Sequence, residues 1–76
     1  MNTGQLHWQH HLRVMEVLCK RNPFAAAIVR ALVRSLDVRA LRTVLMEQLE
    51  CSEKVAGLLI EQAWLDYLAL WHTLSS

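Results

Sequence analysis

Apolar positions recur along the chain at helical spacing, and three short punctuation points divide them into four segments. Residues 3–20 read as a first helix, with Thr3 as its cap. On it Trp8, Leu12, Met15, Leu18 and Cys19 share one wide face, opposite a polar strip of Gln9, Arg13, Glu16 and Lys20. Arg21-Asn22-Pro23 is the clearest stop: Asn22 suits an N-cap, and Pro23 suits a first helical position, where no N–H is needed. The second helix is predicted from Pro23 to about Ser35. Its polar face is so reduced that it is expected to be central and buried, with Arg30 and Arg34 as its only solvent edge.

Ser35-Leu36-Asp37 is a weaker break, at which Asp37 can cap a third helix over 38–50. Val38, Leu41, Val44, Leu45 and Leu49 are expected to face inward there. A single helix over 23–50 is the alternative, since nothing in the interval forbids it. Glu50-Cys51-Ser52 forms the next turn, with Ser52 as cap and Glu53 in the first turn, favourably placed on the helix dipole. A fourth helix follows from 53 to about 74. Its main apolar arc contains Ala56, Leu59, Ile60, Ala63, Trp64, Tyr67, Leu70, Trp71 and Leu74. On nearly the opposite side stand Leu58, Leu65 and Ala69, flanked by Lys54, Glu61 and His72 and by Gln62 and Asp66. A helix with one buried face has no need of that second stripe.

Composition sharpens the picture. The chain has 76 residues and is 54% hydrophobic, but contains two glycines and one proline. Leucine and alanine outnumber the β-branched residues, so the fold class is all-α: a small three- or four-helix bundle forming one domain over 1–76. A chain this short hides only about 63% of its unfolded surface. That leaves apolar surface over, and the expectation is a bundle completed by dimerisation. Disorder and a large multi-site enzyme are both excluded.

The net charge of +1 conceals a split: residues 13–42 carry a net +5 and residues 43–76 a net −4. Such asymmetry fits a nucleic-acid face, an acidic partner, or docking of one half on the other. Arg30, Arg34, Arg39 and Arg42 can form a basic ridge that grips carboxylates, unless Glu47, Glu50 and Glu61 pair with it internally. Cys19 and Cys51 belong to no C-x-x-C pair and read as small hydrophobes in a reducing compartment. No secretory signal pattern opens the chain and no apolar run reaches membrane-spanning length, so a cytoplasmic protein is expected.

Candidate chemistry is sparse. His7 and His11 have the i,i+4 spacing of a metal-binding pair, but a site needs a third ligand, and His10 points elsewhere. Cys51 lies before a helix N-terminus, yet Glu50 and Glu53 oppose its ionisation and no glycines offer an oxyanion hole. No phosphate loop is present. Neither an enzyme nor a cofactor is expected. Residues 43–62 resemble the generic helix-turn-helix pattern in their hydrophobic placement. They depart from it at Met46, where a small residue lets the helices cross, and at Glu50, where the turn has Gly. The would-be recognition helix also offers Glu53 and Glu61 to a phosphate-lined groove.

These readings converge on a protein–protein interaction module of adaptor, chaperone or inhibitor type, small enough for a bacterial or phage protein. It is expected to form a homodimer, to bind another protein of acidic character, and to bind nucleic acid weakly or not at all. The residues expected at its contacts are Leu58, Leu65, Ala69 and Trp71, with Arg30, Arg34, Arg39 and Arg42. Leu58, Leu65 and Ala69 are expected at the dimer interface, since two buried leucines contribute roughly 3–6 kcal/mol per subunit before association costs. The competing expectation is that the first helix folds back over this stripe. A DNA-binding regulator built on 43–62 and an interfacial membrane binder using the helix from 23 are the alternatives.

Overall fold

A computed structural model of the chain describes residues 3–35 and 37–75, with side chains from His7 onward. The described residues form four α-helices and no strand: α1 (Thr3–Arg21), α2 (Pro23–Ser35), α3 (Val38–Leu49) and α4 (Glu53–Leu74). The all-α expectation holds, and the helix boundaries fall within one residue of the sequence reading. Thr3 opens α1, but its side chain, expected as the cap, lies outside the described residues; so does Leu36 in the second break.

Local chemistry accounts for each boundary. The Ala25 amide donates to Asn22 Oδ1 at 3.1 Å, so Asn22 caps α2 while Pro23 occupies its first turn. The Ala40 amide donates to Asp37 Oδ1 at 3.0 Å, which starts α3 and disposes of a single 23–50 helix. The Val55 amide donates to Ser52 Oγ at 3.2 Å at the head of α4. α3 ends on Glu50 in the left-handed conformation, φ 51° and ψ 44°. The Cys51 amide reaches back to the Met46 carbonyl at 3.3 Å, completing a Schellman closure.

α4 is the central helix and packs against all three others. Its buried residues Ala56, Ile60, Ala63, Tyr67 and Leu70 alternate steps of four and three. They meet Val14, Met15 and Leu18 of α1, Ala25, Ala26, Ile28, Val29 and Leu32 of α2, and Leu45 of α3 in one core. α3 touches α2 and α4 but not α1.

Three expectations about faces require correction. α1 is rotated from its expected orientation: Trp8 and Leu12 are 54% and 51% exposed and Cys19 is exposed, whereas Val14 is fully buried. Met15 and Leu18 are buried as expected, joined by Val14, with His10, His11 and Val17 half-buried beside them. This rotation works because both imidazoles find polar partners inside, so that face tolerates them. α2 is not buried all round: α1, α3 and α4 all pack against it, yet they leave one side open, where Phe24, Ala27 and Val33 are exposed along with Arg30 and Arg34. On α3 only Leu45 of the five expected inward residues is buried; Leu41 is half-buried, and Val38, Val44 and Leu49 are exposed. With no contact to α1, α3 has too little neighbouring surface to cover a wide apolar face.

The molecule measures 44 × 22 × 16 Å with a radius of gyration of 13.4 Å. A compact chain of this length has a radius near 11.4 Å. Its accessible surface of 5578 Å² exceeds the roughly 4,800 Å² normal for its mass.

Candidate interaction surfaces

Three features could carry function, and each is built on α4. The first is the outward stripe. Leu58 and Leu65 are 56% and 51% exposed and Ala69 is exposed, on the side of α4 away from its buried row. α1 does not fold over them; it lies instead against Tyr67 and Trp71. On one flank the Gln62 amide donates to Asp66 Oδ1 at 3.2 Å, and Lys54, Glu61 and His72 are exposed on the other. The stripe is a convex ridge of two leucines and an alanine.

The second feature is an aromatic row that crosses from α1 to α4. Trp8 stacks on His11 at 5.0 Å, His11 meets Tyr67 edge-on at 5.6 Å, and Tyr67 stacks on Trp64 at 5.1 Å. Trp71 branches from Tyr67 at 5.9 Å and receives the His10 ring at 4.3 Å. Polar bonds fix both histidines. His10 Nε2–H donates to the Trp71 carbonyl oxygen at 2.9 Å, and His11 Nδ1 lies 2.7 Å from the Tyr67 hydroxyl. With His11 neutral, the hydroxyl donates to that nitrogen. Burial holds the His11 imidazole below its ordinary pKa and pushes the Tyr67 phenol above its own, so both groups favour their neutral forms. Of the three aromatics on the expected main arc of α4, Tyr67 is core, Trp71 is half-buried and Trp64 stands at the surface.

The third feature was not anticipated from the sequence. A groove of about 440 Å³ opens between α2, α3 and α4, lined by Leu32, Val33, Val38, Gly57, Ile60 and Trp64, with Arg42 and Glu61 at its edges. A Cβ added at Gly57 would meet nothing within 4 Å. The available signal was an isolated glycine inside a strongly helical segment, which calls for a packing or functional reason. The residues facing it from α2 and α3 carry no such mark.

The four arginines border two hollows. Arg30 and Arg34 line a shallow hollow on α2 with Ala27, Ala31 and Ser35, whereas Arg39 and Arg42 border another with Thr43, Met46 and Glu53. The competing arrangement, internal pairing with Glu47, Glu50 and Glu61, is absent among the described residues. Arg42 instead approaches Glu53 at 3.8 Å, and the other ion pair joins Lys20 to Glu16 within α1 at 3.5 Å. Arg30, Arg34 and Arg39 make no ion pair among the described residues.

Over 43–62, α3, the turn and α4 do form a helix, turn and helix. The exposed residues of the second helix include Glu53, Lys54 and Glu61, and its other side is committed to the core. His7 is exposed and His11 is held by Tyr67. Among the described residues no group of three or more His, Cys, Asp or Glu side chains could hold a metal ion. Nor, among them, is any helix long and apolar enough to cross a membrane.

Fold and surface together define an all-α protein of four helices with uncovered apolar faces. Compared with known proteins, the chain matches no family model, no curated protein and no solved structure.

Proposed function

We propose that this protein is a protein–protein interaction module that self-associates through surplus apolar surface and presents its remaining faces to another protein. The observation that carries the reading is the exposed area. It exceeds the norm for the mass by about 800 Å², which equals one partner's share of a standard interface. Large apolar side chains stay exposed on every helix: Trp8 and Leu12, Phe24 and Val33, Val38 and Val44, Leu58 and Leu65. The outward stripe of Leu58, Leu65 and Ala69, with Trp71 at the far end of the helix, is an apolar contact for such a partner. Arg30, Arg34, Arg39 and Arg42 supply guanidinium groups suited to bidentate pairing with acidic side chains.

Less supports the DNA-binding alternative. The helix that would enter the groove exposes two glutamates and one lysine in its first half, and the arginines stand on other helices. Binding to random duplex DNA is expected to be weak and to depend on the arginines rather than on Lys54. Self-association is tested by sedimentation or multi-angle light scattering over a concentration series. A homodimer is expected, and a monomer throughout the series removes the reading.

A further inference from the structure

We infer that the groove between α2, α3 and α4 is the face by which two copies of this chain dock, each presenting the same groove, with the Trp64 indole at the centre of the contact. The inference rests on the self-association proposed above and names the surface and occupant. The outward stripe, favoured by sequence alone, is a convex ridge with little depth; the groove is concave, apolar and flanked by an aromatic wall.

Gly57 is the first support. A glycine inside a helix is less stable than alanine by about 0.5–1 kcal/mol. Here no neighbouring side chain approaches the space a Cβ would fill, so intrachain packing does not account for it. Its effect is to leave the groove open. Trp64 is the second. It is 39% exposed, yet its ring is stacked on buried Tyr67, which His11 holds in turn. An indole already fixed in position loses little freedom on binding and makes a strong anchor at an interface centre.

Charge is the third support. Arg42 and Glu61 stand at the mouth of one groove. Glu61 has no ion pair among the described residues, and Arg42 has only the long approach to Glu53. A two-fold contact is self-complementary when residue i meets j and j meets i. In the proposed pair Arg42 of each copy meets Glu61 of the other, so that one contact made twice satisfies both charges. The uncovered area is of the size that such a pair must bury.

The test uses the full chain and sedimentation equilibrium on five variants alongside wild type. Gly57→Leu fills the groove from its floor. It should keep or raise the melting temperature, because a better helix former enters open space, while the dimer dissociation constant rises on the order of thirtyfold or more. Arg42→Glu and Glu61→Arg should each weaken the dimer, and the double exchange should restore it, a readout that does not depend on Gly57→Leu folding. Leu58→Glu/Leu65→Glu should remain dimeric. A wild type that is monomeric throughout overturns the self-association reading and this inference with it. A dimer that dissociates in Leu58→Glu/Leu65→Glu but persists in folded Gly57→Leu leaves self-association standing and overturns the groove. Failure of the double exchange to restore pairing overturns the Arg42–Glu61 contact.

Discussion

Glu50 is the one non-glycine residue with positive φ among those described, and it closes α3 where glycine ordinarily does. A Cβ in this conformation costs roughly 1–2 kcal/mol, partly offset for glycine by the entropy of its unfolded chain. Glu50→Gly is therefore expected to stabilise the protein by about 0.5–1 kcal/mol, a rise of several degrees in Tm. Urea unfolding gives the measurement, and a loss of stability would show that the Glu50 side chain makes a compensating contact. His11 supplies the second prediction at this scale. Its folded pKa lies below the unfolded value because burial penalises the imidazolium. Between the two values the unfolded chain binds more protons, so stability is fully present above about pH 6.5 and declines as pH falls toward the folded pKa. Melting curves from pH 7.5 down to about pH 5.5 should show that decline, and it should be shallower in His11→Gln. An equal slope in the two proteins would assign the decline to other groups.

At the scale of elements, boundaries were legible and faces were less so. Asn22, Asp37 and Ser52 are short-range devices whose bonds span three residues, and the sequence displays them directly. The choice of inward face on α1 depends on neighbours far along the chain. By periodicity Trp8 and Leu12 continue the apolar stripe of Met15 and Leu18, yet the structure turns Val14 inward and leaves Trp8 and Leu12 exposed. Only the Tyr67 hydroxyl and the Trp71 carbonyl, on a different helix, make that side habitable for imidazoles. The two orientations agree on Leu18 and part on Leu12. Leu18→Ala should cost roughly 2–5 kcal/mol, since it empties a fully enclosed site. Leu12→Ala should stay within about 0.5 kcal/mol of wild type in the monomer. Similar losses at both positions, measured by denaturant unfolding, would place Leu12 in the core and return α1 to the orientation read from sequence.

For the molecule as a whole, the governing quantity is the mismatch between apolar content and what four short helices can enclose. α2 and α4 each pack against all the other helices, whereas α1 and α3 do not meet among the described residues, so each of those two has an unsupported side. The elongated shape follows, and so does the excess surface on which the proposed dimer depends. The charge split into basic and acidic halves does not draw the halves into a network, because one ion pair, Arg42 with Glu53, joins them among the described residues. Arg30, Arg34 and Arg39 make no ion pair among the described residues, which is what the proposed pairing with an acidic partner requires.

The sequence by itself left 23–50 open as one helix or two, but it determined the helical class, the helix ends wherever a cap stands, and the existence of an apolar stripe opposite the main face of the last helix. These are matters of propensity, capping and periodicity, which act over a few residues. Only the tertiary structure decided which α1 face turns inward, that Trp64 stands at the surface while Tyr67 is buried, and that Leu32, Val33, Val38, Gly57 and Ile60 line one groove. Those residues lie on three helices, and their juxtaposition depends on how α2 and α3 lie against α4, an arrangement that no local periodicity encodes.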